Sequence, residues 1–223
     1  MLIAAFLLAS LTPLVLAATA APPIPKRLHV AFVLTDGATM IDFAGPWEVF
    51  QDVMVPSLGK TMDEQMPFEL FTVGEAHAPI QISGGMTVVP QYTFANAPAA
   101  DIVVVGAQRG APGLSDYLKN ARTKSKTVMS VCTGAFKLAD AGLLDGKQAT
   151  THHDFFDAFA AKYPSVHLVR GQRFVQADPV VFSAGGLTSG IDLALHVVQL
   201  YYGRETAEQT AKYMEYTGTG WRE

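Results

Sequence analysis

Three stretches of this chain, Val30-Ala31-Phe32-Val33-Leu34, Ile102-Val103-Val104-Val105 and Val128-Met129-Ser130-Val131, carry almost no polar side chain. A strand with one wet face alternates polar and apolar residues, and these do not. Both faces must be covered, which is the condition of central strands in a parallel sheet with helices on either side. Helical patterns fall between the strand patterns. They are predicted over 47–54, entered through Gly45-Pro46, then over 114–123, 135–141 up to Gly142, 155–162, 191–202 and 205–213. Further strands are expected at 68–73, 167–169, 173–175 and 180–183, with a hairpin excursion over 80–92 around Gly84-Gly85. Strands alternating with helices imply an α/β fold with an open, mostly parallel sheet. In such sheets ligands bind beyond the carboxyl ends of the strands. The loops after Leu34, Val105 and Val131 are therefore the candidate site.

The only cysteine, Cys132, stands in the third of these loops. A strand turning sharply into a helix lifts this residue toward unpaired helix N–H groups, as in the nucleophile elbow of α/β hydrolases. Those groups favour negative charge, so the thiol is expected to ionise below its free pKa of about 8.5. The alternative is a buried structural cysteine. The polar, tight neighbourhood of Ser130, Thr133 and Gly134 favours the reactive one. Asp42, between Ile41 and Phe43, is either a helix N-cap or a site acid on the same rim. Beside a thiolate its carboxyl would be raised and could supply a proton. His152 and His153, read as strand neighbours, point to opposite sides, so at most one faces a shared site. A Cys132–His152 dyad is a weaker pairing than Cys132–Asp42. No third ligand follows at a metal-binding spacing, and no glycine cluster has the form of a phosphate loop, so neither metal nor cofactor is assigned.

Composition narrows the function classes. A net charge of −4, with no stripe of Lys and Arg, argues against a nucleic-acid surface. Within residues 1–21, Leu2 to Leu16 is apolar apart from Ser10, Thr12 and Pro13, and Ala17-Ala18-Thr19-Ala20-Ala21 follows. This is a secretory signal pattern although its start lacks Lys and Arg. An uncleaved anchor is the rival, but the run is short and interrupted for a membrane span. The mature protein is thus expected to be secreted or periplasmic, free of the membrane after cleavage, with one domain over 27–216. Its one cysteine has no intramolecular partner.

Four ordered motifs resemble the PfpI/ThiJ-like superfamily. They are Asp42-Phe43-Ala44-Gly45-Pro46-Trp47-Glu48-Val49-Phe50, Ser130-Val131-Cys132-Thr133-Gly134, Ala141-Gly142-Leu143-Leu144-Asp145-Gly146 with Ala149-Thr150-Thr151-His152, and Gly185-Gly186-Leu187-Thr188-Ser189-Gly190-Ile191-Asp192. They look most like its isonitrile hydratase branch and the amidotransferase-like half of AraC-type regulators. The resemblance implies a flavodoxin-like three-layer sandwich, commonly a homodimer, with Cys132 as nucleophile and Asp42 as the carboxylate beside it. It implies thiolate attack on a terminal isonitrile carbon and release of a formamide. Thr133 stands where peptidase-like relatives carry histidine, which points away from Cys–His hydrolysis. Gly106-Ala107-Gln108 replaces the usual Pro-Gly-Gly, whose amides with that of Thr133 would form an anion hole. His153 replaces a common tryptophan. The reading that follows is a thiol-dependent hydratase or hydrolase of a small molecule. Its rivals are a ligand-binding or redox-sensing module using the same thiol, and an amidase with His152 as base. The chain ends soon after its last helix pattern, and no helix-turn-helix domain is expected.

Overall fold

The computed structural model describes residues 27–222. The expected signal segment, 1–21, lies outside them. In chain order the elements are β1 (Leu28–Val33), α1 (Met40–Gln51), α2 (Met62–Gln65), β2 (Phe68–Gly74), β3 (Ile80–Gln81), β4 (Thr87–Val88), β5 (Tyr92–Thr93) and β6 (Ile102–Val105). There follow α3 (Leu114–Lys124), β7 (Thr127–Ser130), α4 (Gly134–Asp140), β8 (Gln148–Ala149), α5 (Phe156–Lys162), β9 (His167–Leu168), β10 (Phe174–Gln176), β11 (Val181–Ala184), α6 (Ser189–Tyr202) and α7 (Arg204–Tyr213).

Seven strands form one sheet in the order β10-β11-β7-β6-β1-β2-β5. Only the β10–β11 pair in it is antiparallel. Alternate residues of the apolar strands feed two separate cores, as their sequence requires. Leu28, Val30, Phe32, Ile102, Val104 and Met129 pack under α1, α6 and α7. Ala31, Val33, Val103, Val105 and Val128 pack under α3, α4 and α5. The result is a three-layer sandwich of helices on both faces of a mostly parallel sheet, the flavodoxin-like fold. The hairpin excursion is present as the antiparallel pair β3–β4.

The chain leaves β1 toward β2 on one side, whereas β6 and β7 lie on the other. That reversal opens a crevice at the carboxyl ends of β1, β6 and β7, where the three candidate loops meet. Helix α1 begins at Met40, well before the expected start at 47, and runs through Pro46. A mid-helix proline removes one backbone bond and costs about 3 kcal/mol. Here packing overrides it: Val49 and Phe50 are buried in the core, and Gly45 sits so close to Ile191 of α6 that a β-carbon would lie 2.9 Å from its side chain. Packing also continues past the expected end at 216, because Trp221 is fully buried against the α6 side of the sheet.

Candidate active site

Asp42 lies in the first turn of α1, and the residue at the N-cap is Thr39. The N-cap alternative for Asp42 therefore falls away. Its side chain instead reaches across to the loop after β6, where Oδ2 accepts the Ala107 N–H at 2.9 Å. Gly106 permits this approach, since a β-carbon there would stand 2.7 Å from the Asp42 Cβ. The Ala107 carbonyl accepts the Thr39 N–H at 2.8 Å in return, so the two loops are tied in both directions. Asp42 is fully buried, its Oδ1 has no hydrogen-bond partner among the described residues, and its carboxyl group interacts with the Cys132 thiol.

Cys132 sits at the tip of the turn between β7 and α4 with φ +57°, a left-handed conformation uncommon outside glycine. This is the strained elbow foreseen from the sequence. Its N–H donates to the Gly185 carbonyl at 2.8 Å, and its carbonyl accepts the Thr151 hydroxyl at 2.9 Å. The elbow is thus anchored to the loops that follow β11 and β8. Gly134 lets α4 start against β6, because a β-carbon there would run into the Val105 carbonyl. The backbone N–H groups of Thr133 and Leu187 lie near enough to the sulfur to favour its charged form.

The expected low thiol pKa is not found. Burial pushes the Cys132 thiol up to about 11, and the Asp42 charge adds to the rise; the Thr133 and Leu187 amides oppose it without prevailing. Cys132 is only 6% exposed, and Ser130, expected to make the turn polar, is itself fully buried. The helix behind the elbow, α4, has seven residues, too little to offset that burial. Burial likewise raises the Asp42 carboxyl to about 6, with the Ala107 N–H and the thiol pulling the other way. At neutral pH the pair therefore holds one proton, on sulfur, facing an ionised carboxylate.

Other predicted residues are placed differently. The Ala107 amide is committed to Asp42, and the Gln108 side chain folds beneath the loop, where Oε1 accepts the Thr35 N–H at 2.9 Å. The sulfur is instead served by Thr133 and by Leu187. Nothing in the sequence marks the Leu187 contribution, which is a backbone N–H, beyond its place in the fourth motif. His152 is engaged elsewhere: its Nδ1 accepts the Asp154 N–H at 3.2 Å, and its ring lies against Gly186. Residues 152 and 153 form no strand. His152 caps a short 3-10 turn, and the two imidazoles stack with centroids 4.5 Å apart. Both line a cleft of about 400 Å³ together with Thr151, Arg173, Leu187 and Thr188. His152, His153 and Asp154 bring three potential ligand atoms within 4.8 Å of one another. The Nδ1 of His152 already accepts the Asp154 N–H, which holds the three residues as a hydrogen-bonded turn. His196, within apolar α6, is a core histidine with Nδ1 3.3 Å from the Trp221 carbonyl, and burial lowers its pKa.

The DJ-1/PfpI family profile matches residues 28–200, and the chain belongs to that family. It is 30% identical to isonitrile hydratase of Pseudomonas putida over 198 residues, covering 85% of this chain and 78% of that one. It is 27% identical over 196 residues to a helix-turn-helix transcriptional regulator of Pseudomonas aeruginosa, of which it spans about half, 51%. Among solved structures, a THiJ/PfpI family protein from Pseudomonas syringae superposes with a TM-score of 0.71 at 23% identity, covering 93% of this chain and 85% of the other. An AraC family regulator from Pseudomonas putida gives 0.70 at 20% identity, covering 84% of this chain and 99% of the other. These structural likenesses concern the fold.

Proposed function

We propose that this DJ-1/PfpI family member hydrates small isonitriles, with Cys132 as nucleophile and Asp42 as the group that moves its proton. The supporting observation is a sulfur whose ionisable neighbour is a carboxylate, in a chain similar to isonitrile hydratase over most of its length. A neutral thiol suits this chemistry. Addition to a terminal isonitrile carbon needs both a nucleophile and a proton at that same atom. As Sγ bonds to the carbon, its proton passes to Asp42 and on to the carbon, leaving a thioimidate. Water then adds to that carbon, and one of its protons passes by way of Asp42 to the thioimidate nitrogen. The C–S bond breaks as the remaining hydroxyl proton passes by way of Asp42 to the sulfur, and the N-substituted formamide leaves. One isonitrile and one water make one formamide, with no change of oxidation state at sulfur. The Thr133 and Leu187 amides face the sulfur while it carries charge. The slight exposure of Cys132 favours a slim, linear reacting end over a planar amide.

Full-length protein incubated with a simple alkyl isonitrile should form the formamide catalytically, and Cys132→Ala should form none. Absence of turnover in the folded wild type would defeat the reading. The similarity to transcriptional regulators supports a second one, ligand capture without turnover; saturable isonitrile binding with no product would favour it. A peroxide-sensing role sits poorly with a protonated thiol, since the thiolate is the oxidisable form. Export and pairing into a homodimer belong to the same proposal, and N-terminal sequencing and solution mass of the mature protein test them.

A further inference from the structure

Besides Asp42, the turn between β11 and α6, residues 185–188, borders Cys132. Leu187 there has φ +51°, a left-handed backbone that is strained for a leucine. Strain of this kind persists only where the surroundings dictate it, and the surroundings are identifiable. The Gly185 carbonyl accepts the Cys132 N–H at 2.8 Å, and the Gly185 N–H donates to the Arg173 carbonyl at 2.9 Å. Gly186 is pressed against the His152 ring, where a β-carbon would collide. At the far end, Arg173 Nη2 donates to Thr188 Oγ1 at 3.1 Å.

Arg173 is itself held. Its Nε and Nη2 both lie 2.6 Å from Oδ2 of Asp192, a carboxylate buried in the first turn of α6. The C-terminal turn closes over this pair so tightly that a β-carbon on Gly220 would stand 2.8 Å from Arg173 Cγ. One guanidinium therefore joins the approach to β10, the strap after β11 and the start of α6. The strap is bonded to Cys132 through the Gly185 carbonyl and brings the Leu187 N–H near the sulfur, where it favours the charged form.

We infer that Arg173, acting through Thr188 and Asp192, is a positioning residue for Cys132: it locks the 185–188 strap so that the Leu187 amide stabilises charge on the sulfur. The inference concerns the reactivity of the sulfur alone and stands apart from isonitrile turnover, so the failure of either leaves the other intact.

The test is the alkylation rate of Cys132 by iodoacetamide at pH 8.5, followed by intact mass, in wild type, Thr188→Val, Thr188→Ser and Arg173→Gln. Arg122→Gln serves as a control, because it breaks the Arg122–Asp178 pair, of similar exposure but outside the strap. At a pH below the thiol pKa the rate follows the thiolate fraction, so a pKa raised by one unit slows it about tenfold. Arg173→Gln should slow alkylation about tenfold and Thr188→Val about threefold, with Thr188→Ser close to wild type and Arg122→Gln unchanged. General loosening would act in the opposite sense, since water reaching the sulfur lowers its pKa and uncovers it. Alkylation of Thr188→Val at or above the wild-type rate would overturn the inference. That variant and its serine counterpart decide the matter even if Arg173→Gln does not fold.

Discussion

Asp42 costs the fold something at neutral pH, and the sign follows from its pKa. The carboxyl is raised from 3.8 to about 6. The folded state thus binds more protons than the unfolded state between those values, and stability falls as pH rises through that window. At about 1.4 kcal/mol per unit, the loss is about 3 kcal/mol. Asp42→Asn should abolish that slope and leave the protein more stable at pH 7.5 than wild type, measured by urea unfolding at each pH. Turnover should show the reverse dependence. It needs Asp42 ionised as base, so kcat/KM should fall as pH drops below about 6. That Cys132 and Asp42 share one rim of the sheet was legible from residue type and position. Their ionisation was not, because Ser130 looks polar in a string of letters and is a fully buried side chain in space.

At the scale of elements, the apolar strands needed no tertiary information, since each of their alternate faces meets its own helical layer. The start of α1 did need it: Pro46 signals a helix entrance locally, yet packing carries the helix back to Met40. That extension is what places Asp42 in a first turn facing the Ala107 amide. The elbow depends on Gly134 in the same physical way, through contact between the start of α4 and the end of β6. Gly134→Ala should cost about 3 kcal/mol in urea unfolding, because the obstacle is the Val105 backbone and cannot rotate away. An unchanged midpoint would show that the β6–α4 approach is not tight.

For the molecule as a whole, the C-terminal turn closes the structure. Trp221 is fully buried, and its carbonyl meets His196 while Gly220 covers the Arg173–Asp192 pair. Trp221→Ala should lose about 3–5 kcal/mol, read as a lowered urea midpoint. The sequence pattern stops short of this clasp because a single tryptophan after the last helix has no periodicity to reveal it. Among the described residues no helix is long and apolar enough to cross a membrane. The site is assembled from loops that follow β1, β6, β7 and β11, which is why the order of the strands, more than any single motif, brings Asp42, Thr133 and Leu187 to one sulfur.

The claim on which the chemistry rests is that burial, with the Asp42 carboxylate adding to it, keeps the Cys132 thiol protonated, and that this carboxylate carries the proton during reaction. Alkylation and isonitrile turnover measured side by side at pH 8 in wild type and Asp42→Asn test it most directly. With the negative charge removed, the thiol pKa falls, so alkylation should accelerate about tenfold while formamide production drops by about two orders of magnitude or more. Alkylation that slows in Asp42→Asn, or turnover that survives in it, would contradict the account.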